Sequence, residues 1–230
     1  MLDFNSFKTD TATIELRFAP SFLMWDRSGA LWTEIQSRFP ELKYSNVQPS
    51  QQVFESKTLR VMLELESLRV ITRGQGADKR VADVSEAIFR LASDKYKIST
   101  FTRLGFRDLR SQIFESKEDA LSASKPFLPS AMAANLLPDA KIQHFQCAIR
   151  QEADNYGLNT SLRVEEREVK VAFPWEVAEY FPTMPPKETV IVLDSDYYTI
   201  GTTERDSLNL EEWGKQASRT AKRYWNSVLG

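Results

Sequence analysis

The sequence predicts an α+β protein in which one mostly antiparallel sheet, or two such sheets, carries its helices on one side. Two patterns indicate this fold. Apolar residues alternate with polar ones in segments 11–19, 59–72 and 98–110, as they do in half-buried strands. In segments 81–91 and 210–228 apolar residues recur at helical spacing, which is typical of amphipathic helices.

The first half, residues 1–115, contains six predicted elements in the order strand, helix, strand, strand, helix, strand. The first helix is predicted over 30–39, where Leu31 and Ile35 share a face. Segment 59–72 is predicted as a pair of strands with a turn near Glu66, and the polar segment 45–50 as a turn. This order is that of the split, ferredoxin-like βαββαβ arrangement, which we therefore predict for the first half.

The second half, residues 116–230, forms a further αβ unit, either a separate domain or part of one compact unit with the first half. The apolar run Thr189–Leu193 predicts a deeply buried strand. The charged run Glu165–Glu168 is predicted as a turn or an exposed edge. The amphipathic face from Leu210 to Val228 predicts a long C-terminal helix docked on the sheet.

Composition excludes several function classes. The net charge of −2 argues against nucleic-acid or lipid binding over the whole surface. A single cysteine, Cys147, excludes an intramolecular disulfide and a cysteine zinc site, and it is typical of a reducing cytoplasm. We expect a cytoplasmic protein without a membrane span, because the first ten residues lack signal-peptide features and no apolar run approaches the roughly 20 residues that a span needs.

The central strand, 98–110, presents an arginine stripe. Arg103 and Arg107 are on the face opposite Leu104, and Arg110 extends the set. Arginines at this spacing suit neighbouring phosphates or a partner's carboxylates, so the stripe is a candidate ligand- or anion-binding site. The alternative is internal pairing with Glu64, Glu66 or other cross-strand acids.

Four segments carry a resemblance to a known family. They are TIELRFA at 13–19, TRLGFRDLR at 102–110, VIVLDSDYY at 190–198 and RYWNSVLG at 223–230. The chain resembles a sporadically distributed, uncharacterised family of bacterial and archaeal proteins of about this length. The resemblance implies a shared fold and a patchy distribution, which is typical of mobile or defence-associated genes. It implies no catalytic residues.

Two aspartates are candidate metal ligands. Asp194 and Asp196 form a D-x-D motif after an apolar strand, and two carboxylates on one face suit Mg²⁺ or Mn²⁺ in an enzyme of nucleotides. The competing interpretation is a pair of solvated aspartates at a turn. His144 and Cys147 are expected on opposite faces of a strand, which excludes them as a catalytic pair.

The proline-rich segment 174–186 contains a second kind of candidate site. Trp175, Tyr180 and Phe181 in this segment are candidate partner-binding residues, because aromatic side chains dominate protein-binding hot spots. The alternative is a loop that folds these rings onto the core.

The sequence thus contains no recognisable catalytic set and implies no cofactor. We predict a non-catalytic interaction or regulatory protein whose partner is another protein, in a mobile or defence-associated bacterial system. The alternatives are a nucleic-acid or nucleotide binder that uses the arginine stripe, and a metal-dependent enzyme that uses the two aspartates.

Overall fold

The predicted α+β class is confirmed by a computed structural model that describes residues 2–48, 50–129, 142–168 and 187–230. Nine strands form one antiparallel sheet in the order β2-β3-β4-β5-β1-β7-β10-β9-β8. Their bounds are β1 Lys8–Arg17, β2 Lys43–Gln48, β3 Gln51–Glu55, β4 Leu59–Glu64, β5 Ser67–Arg73, β7 Arg103–Phe114, β8 Gln146–Glu152, β9 Tyr156–Glu168 and β10 Lys187–Thr199. The short strands β6 (Thr100–Phe101) and β11 (Thr203–Glu204) form a separate ribbon.

The first half has the predicted split βαββαβ topology. Its elements run β1, α1 (Leu23–Arg38), β4, β5, α2 (Ala77–Tyr96) and β7, and β1 lies between β5 and β7 in the sheet. The hairpin of β2 and β3 is inserted between α1 and β4 and extends this sheet at one edge.

The polar segment 45–50 was predicted as a turn, but residues 45–48 belong to β2. The charged run Glu165–Glu168 ends β9 at an exposed edge, which was the second of its two predicted alternatives, since β8 pairs with β9 only as far as Arg163. In both places the strand lacks an apolar face that would give the usual alternation, because β2 is a largely exposed edge and the run in β9 is held by ion pairs.

The helices of the described residues lie on one side of the sheet. Helix α2 covers β1 and β5, and α4 (Leu210–Leu229) packs against α2 and over β7 and β10. Gly214 permits the close approach of α4, since a Cβ there would lie 2.9 Å from Ile14 Cδ1 and 3.0 Å from Ala82 Cβ. None of these helices is long and apolar enough to cross a bilayer.

The two halves share the sheet, because β7 of the first half pairs with β10 of the second. The first half has a core built on β1, α1 and α2. The second half, with α3 (Lys117–Ser124), has its own apolar cluster over β9 and β10. The predicted buried run is confirmed, since the side chains from Val190 to Leu193 are at most 1% exposed. The face of α4 includes Trp225 and Leu229, whereas the predicted Val228 is 39% exposed.

Candidate functional site

The alternation of β7 assigns its charged residues to opposite faces of the sheet. Leu104 and Phe106 are buried beneath the helices. Arg103 and Arg107 therefore lie on the opposite, open face. Arg110 is seven residues from Arg103, an odd number, so it lies on the helix side and is nearly buried. The predicted stripe is therefore two arginines, and Arg110 belongs to a different site.

The open face forms a concave trough of about 1000 Å³ that crosses the strands from β5 to β8. Five strand spacings of about 4.8 Å give the trough a length of roughly 24 Å, and the segment Thr13–Arg17 gives it a width of roughly 13 Å. The charged side chains that line it are Glu15, Arg17, Arg69, Arg103, Arg107, Arg150, Asp194 and Asp196. Both candidate arginines and both candidate aspartates of the sequence thus meet in one place.

Glu15 is the centre of a first ion network. Its carboxylate accepts hydrogen bonds from Arg69 Nε at 2.9 Å and Arg103 Nη1 at 2.8 Å, and it also pairs with Arg17. Arg69 extends to Glu64, and Arg103 extends to Asp196 at 2.9 Å. We call this set of six residues, Arg17, Arg69, Arg103, Glu15, Glu64 and Asp196, the Glu15 network.

Asp194 is the centre of a second ion network. Arg107 donates to both of its oxygens, Nε to Oδ1 at 2.9 Å and Nη2 to Oδ2 at 2.6 Å, which is the strong bidentate geometry. Arg163 donates to Asp194 at 3.3 Å and also pairs with Glu165, which bonds Arg167. Arg167 reaches Asp10 at 2.7 Å. We call Arg107, Arg163, Arg167, Asp194, Glu165 and Asp10 the Asp194 network.

Each network contains three arginines and three carboxylates, so each is neutral as a whole. Burial raises the pKa of Glu165, but its hydrogen bonds and charge pairs with Arg163 and Arg167 outweigh burial and hold that pKa below its ordinary value. Glu165 is therefore ionised at neutral pH. The charged lining of the trough itself is five arginines and three carboxylates, and the other members of the two networks, among them Glu64, Glu165 and Asp10, are not lining residues.

The arginines keep unused hydrogen-bonding capacity. A guanidinium has five N–H donors, and Arg107 uses two of them on Asp194 within the described part of the chain. The side chains of Arg17 and Arg107 are each 52% exposed, and that of Arg150 is 68% exposed. A ligand that entered the trough would meet guanidinium groups that are already held in position by their carboxylates.

Tyr198 follows Asp196 on the same face of β10 and packs over Gly157. A side chain at residue 157 would overlap the Tyr198 ring, so glycine is required for this packing. The ring contacts Arg103, whose Cζ lies 5.0 Å from the ring centroid, and its hydroxyl donates to Glu152 at 2.8 Å. Tyr198 thereby holds the Arg103 guanidinium from the side.

The helix side of β7 contains a second, buried set of charges. Arg110 donates to Asp108 at 2.8 Å and to Asp78 at 3.0 Å, and Lys222 of α4 also pairs with Asp78. The Phe4 ring covers the guanidinium, with its centroid 4.9 Å from Cζ. We call these four charged residues, Arg110, Asp108, Asp78 and Lys222, the buried cluster.

The two carboxylates of the buried cluster differ in pKa. Burial raises the pKa of Asp78, but the hydrogen bond and charge of Lys222, together with Arg110, outweigh burial and lower this pKa overall. At Asp108 burial outweighs the attraction of Arg110, so the pKa lies above its ordinary value. Among the described residues, Asp108 Oδ1 is buried without a hydrogen-bond partner. The side chains of Arg110, Asp108 and Asp78 are at most 11% exposed, and that of Lys222 is 32% exposed.

The predicted metal site at Asp194 and Asp196 does not fit the geometry. Both carboxylates lie on the open face as predicted, but within β10 and not after it. Arg107 and Arg163 occupy Asp194, while Arg103 and the amide of Asn159 occupy Asp196. In the described part of the chain no three His, Cys, Asp or Glu side chains are grouped for a metal ion. The guanidinium groups hold the positions that a cation would need.

The remaining predicted residues contribute no described site. His144 is exposed before β8, and Cys147 is half-buried within it. The candidate partner-binding residues Trp175, Tyr180 and Phe181 lie outside the described residues. The sequence did not reveal Glu15, Arg69 or the two ion networks as parts of a site. In residues 13–17, Glu15 and Arg17 alternate with core residues, and this alternation was the available signal. It does not show which strands neighbour β1.

Comparison with known proteins adds no assignment. No protein-family model and no curated protein sequence matches the chain. The resemblance to a bacterial and archaeal family therefore stays a prediction, and the trough must be interpreted from its own geometry.

Proposed function

We propose that the protein is a non-catalytic interaction protein that binds a segment of a partner protein in the trough. The observation that carries this proposal is the pairing of charges on the open face. Six arginines and six carboxylates form two neutral networks around a concave surface, and the helices of the described residues pack on the other side.

Such a surface can bind a partner through electrostatic complementarity. Charges of both signs at fixed positions select a partner with the opposite pattern and reject like charges at each position. Because the guanidinium and carboxylate groups are already held by one another, little side-chain freedom is lost when a partner binds. A width of roughly 13 Å admits one helix of 10–12 Å diameter or one extended segment.

The lining of the trough has two more arginines than carboxylates, and it is the pairing of those arginines that weighs against the nucleic-acid alternative. Nucleic-acid binding depends on Lys and Arg that neutralise phosphates. Arg103 and Arg107 each have carboxylate partners at 2.6–2.9 Å, so a phosphate would have to compete with those carboxylates. The metal-enzyme alternative has no support in the ligand geometry of Asp194 and Asp196 described above.

The proposal is tested by quantitative affinity capture of the full chain from cells that express it natively. Arg107→Glu reverses one charge in the trough, and Arg80→Glu makes the same change at an exposed position of α2 on the helix side. We expect a stoichiometric partner protein that is lost with Arg107→Glu and retained with Arg80→Glu, while both variants keep the melting temperature within a few degrees.

Two outcomes would contradict the proposal. One is a partner that both variants retain, since the partner would then bind elsewhere. The other is retention on short DNA or RNA that falls with salt and is lost with Arg107→Glu, which would favour the nucleic-acid alternative. Membership of a mobile or defence-associated system rests on the family resemblance alone, and the genes adjacent to this one test it.

A further inference from the structure

Helix α1 has an exposed face that differs from that of α2. Its exposed positions between Asp26 and Arg38 carry no charge: they are Gly29, Ala30, Thr33, Gln36 and Ser37. The helix's intervening charges, Arg27 and Glu34, turn towards α2, where they contact Lys95. By contrast, the exposed positions of α2 are all charged: Lys79, Arg80, Asp83, Arg90 and Asp94. A solvated helix face is typically charged, so the face of α1 is unusual.

Two aromatic rings stand at one end of this face. Phe22 is 61% exposed and Trp25 is 56% exposed, and their centroids lie 5.2 Å apart in an edge-to-face pair. Phe22, Trp25 and Gly29 follow one another at spacings of three and four, so they lie on one side of the helix. Exposed tryptophan of this kind is a frequent anchor of protein interfaces.

Gly29 lies in the middle of α1, where no contact within the described part of the chain requires a glycine. Its backbone does not adopt a positive φ, and a Cβ built on it would meet nothing within 4 Å. Gly214 in α4 is the instructive contrast, because it gives up its side chain to let α4 approach Ile14 and Ala82. Glycine is unfavourable in a helix interior compared with alanine. The open space over Gly29 suits the same use, a close helix crossing, with a helix from outside the chain.

We propose that α1 is a homodimer interface in which the α1 helices of two copies cross at Gly29 about a two-fold axis. Trp25 and Thr33 are equally far from Gly29 in opposite directions. An antiparallel two-fold crossing therefore places Trp25 of one copy over Thr33 of the second, and the reverse, so the surface is complementary to itself. The exposed positions between Asp26 and Arg38 are uncharged, and Arg27 and Glu34 turn towards Lys95 of α2, so like-charge repulsion at the axis is small.

The exposed aromatic area of α1 is consistent with a second copy of the chain as its partner. Phe22 and Trp25 expose about 250 Å² per copy, given 150–250 Å² for a whole aromatic side chain. Two copies thus contribute roughly 500 Å², about half of the ~1000 Å² that a specific interface buries, before the rest of the face is counted. The trough lies on the other side of the sheet, so both troughs of a dimer stay open and a dimer is bivalent for its partner.

Sedimentation velocity of the full chain over a range of concentrations tests the proposal. We expect a reversible dimer. Trp25→Glu should weaken dimerisation at least roughly 30-fold, as loss of a hot-spot residue does. Ile113→Glu is the matched control, since Ile113 is 60% exposed on β7, away from α1, and should leave the dimer intact. A wild-type chain that stays monomeric at the highest concentration, or a control that dissociates equally, would overturn the proposal.

A cross-link locates the axis independently. In a Cys147→Ala background, Gly29→Cys should form an intermolecular disulfide on mild oxidation, because helices that cross at glycine bring the two Cα atoms within disulfide reach. Gln216→Cys, exposed on α4, should remain uncrosslinked. Gly29→Gln should abolish the dimer, and at concentrations where the wild type is monomeric it should raise the melting temperature, because glutamine favours helix. A dimer that persists in Gly29→Gln, or a Gly29→Cys that stays monomeric on oxidation, would place the interface elsewhere or deny it.

Discussion

Arg107 and Arg110 are three residues apart in β7, and they show two different uses of the same chemistry. Arg107 lies in the trough with its side chain 52% exposed and bound to Asp194. Arg110 lies under the helices with its side chain 11% exposed, between Asp108 and Asp78 and against the Phe4 ring. The strand alternation alone separates them. The comparison teaches that a charged residue in a strand has to be assigned to a face before it can be assigned to a site.

The physical difference between the two positions is desolvation. The buried cluster has given up water, so its charges depend on one another and the whole set is structural. The networks of the trough keep part of their hydration, so each pair adds little to stability and remains accessible to a partner. We therefore expect substitutions on the helix side to act on folding and substitutions in the trough to act on binding.

The largest expected effect is that of Arg110→Ala. Removing this guanidinium leaves Asp108 and Asp78 buried with Lys222 as their remaining cation, and we expect a loss of about 3–5 kcal/mol in the free energy of unfolding. Arg107→Ala is the matched control and should lose only about 0–1 kcal/mol. Urea unfolding measures both. Equal losses would contradict the division between a structural and an accessible side.

We expect the second largest loss of stability from a steric change on the open face of the sheet. Gly157→Ala places a methyl group against the Tyr198 ring, which overpacks the site and should cost about 1–3 kcal/mol. The effect is steric and not electrostatic, so it should disappear when Tyr198→Ala supplies the background. A double-mutant cycle by urea unfolding gives this coupling directly. Additive losses would show that the ring does not depend on glycine at residue 157.

The smallest effects are the pH dependences of the two carboxylates in the buried cluster. Asp78 has a pKa below the ordinary value of about 3.9, so its contribution to stability is full above about pH 4 and is lost as the pH falls through its folded-state pKa. Asp108 has a raised pKa, so its contribution is full below about pH 4 and is lost as the pH rises through its folded-state pKa.

Unfolding curves between about pH 2.5 and 6.5 separate the two signs. The stability difference between wild type and Asp78→Asn should increase with pH in the lower part of this window. The corresponding difference for Asp108→Asn should decrease with pH in the upper part. If both differences change in the same direction, the assignment of a lowered pKa to one carboxylate and a raised pKa to the other is wrong.

Much of the fold was predictable because the local periodicity of apolar residues indicates most of its strands and helices. The alternation of residues 11–19 and 59–72 and the helical spacing of 81–91 identified the elements of the split βαββαβ unit, and Asn209 caps α4 through the N–H of Glu212 at 3.0 Å. Strand β2 was missed because an exposed edge needs no apolar face, and the buried part of β3, Gln52–Phe54, is too short to show alternation. The candidate arginines and aspartates were found singly. That they pair with one another was not predictable, because it depends on which strands are neighbours.

The neighbours of β7 decide the interpretation of the site. Without β1 on one side and β10 on the other, Arg103 and Arg107 look like free cations and Asp194 and Asp196 look like free metal ligands. Strand order is a long-range property, and no residue of β7 encodes it alone. Both alternatives in the sequence interpretation, the anion site and the metal site, depended on charges that the sheet brings together and neutralises.

The most direct test of the central claim exchanges one ion pair without changing the net charge. In the double variant Arg107→Asp with Asp194→Arg, the pair is reversed across β7 and β10. We expect a stability loss of about 1 kcal/mol or somewhat more, because Arg163 loses its interaction with Asp194 and faces an arginine in its place. If the trough recognises a partner by the positions of its charges, this variant should fold and yet lose the partner in affinity capture. Undiminished capture of the same partner would contradict the claim that the trough is the binding site.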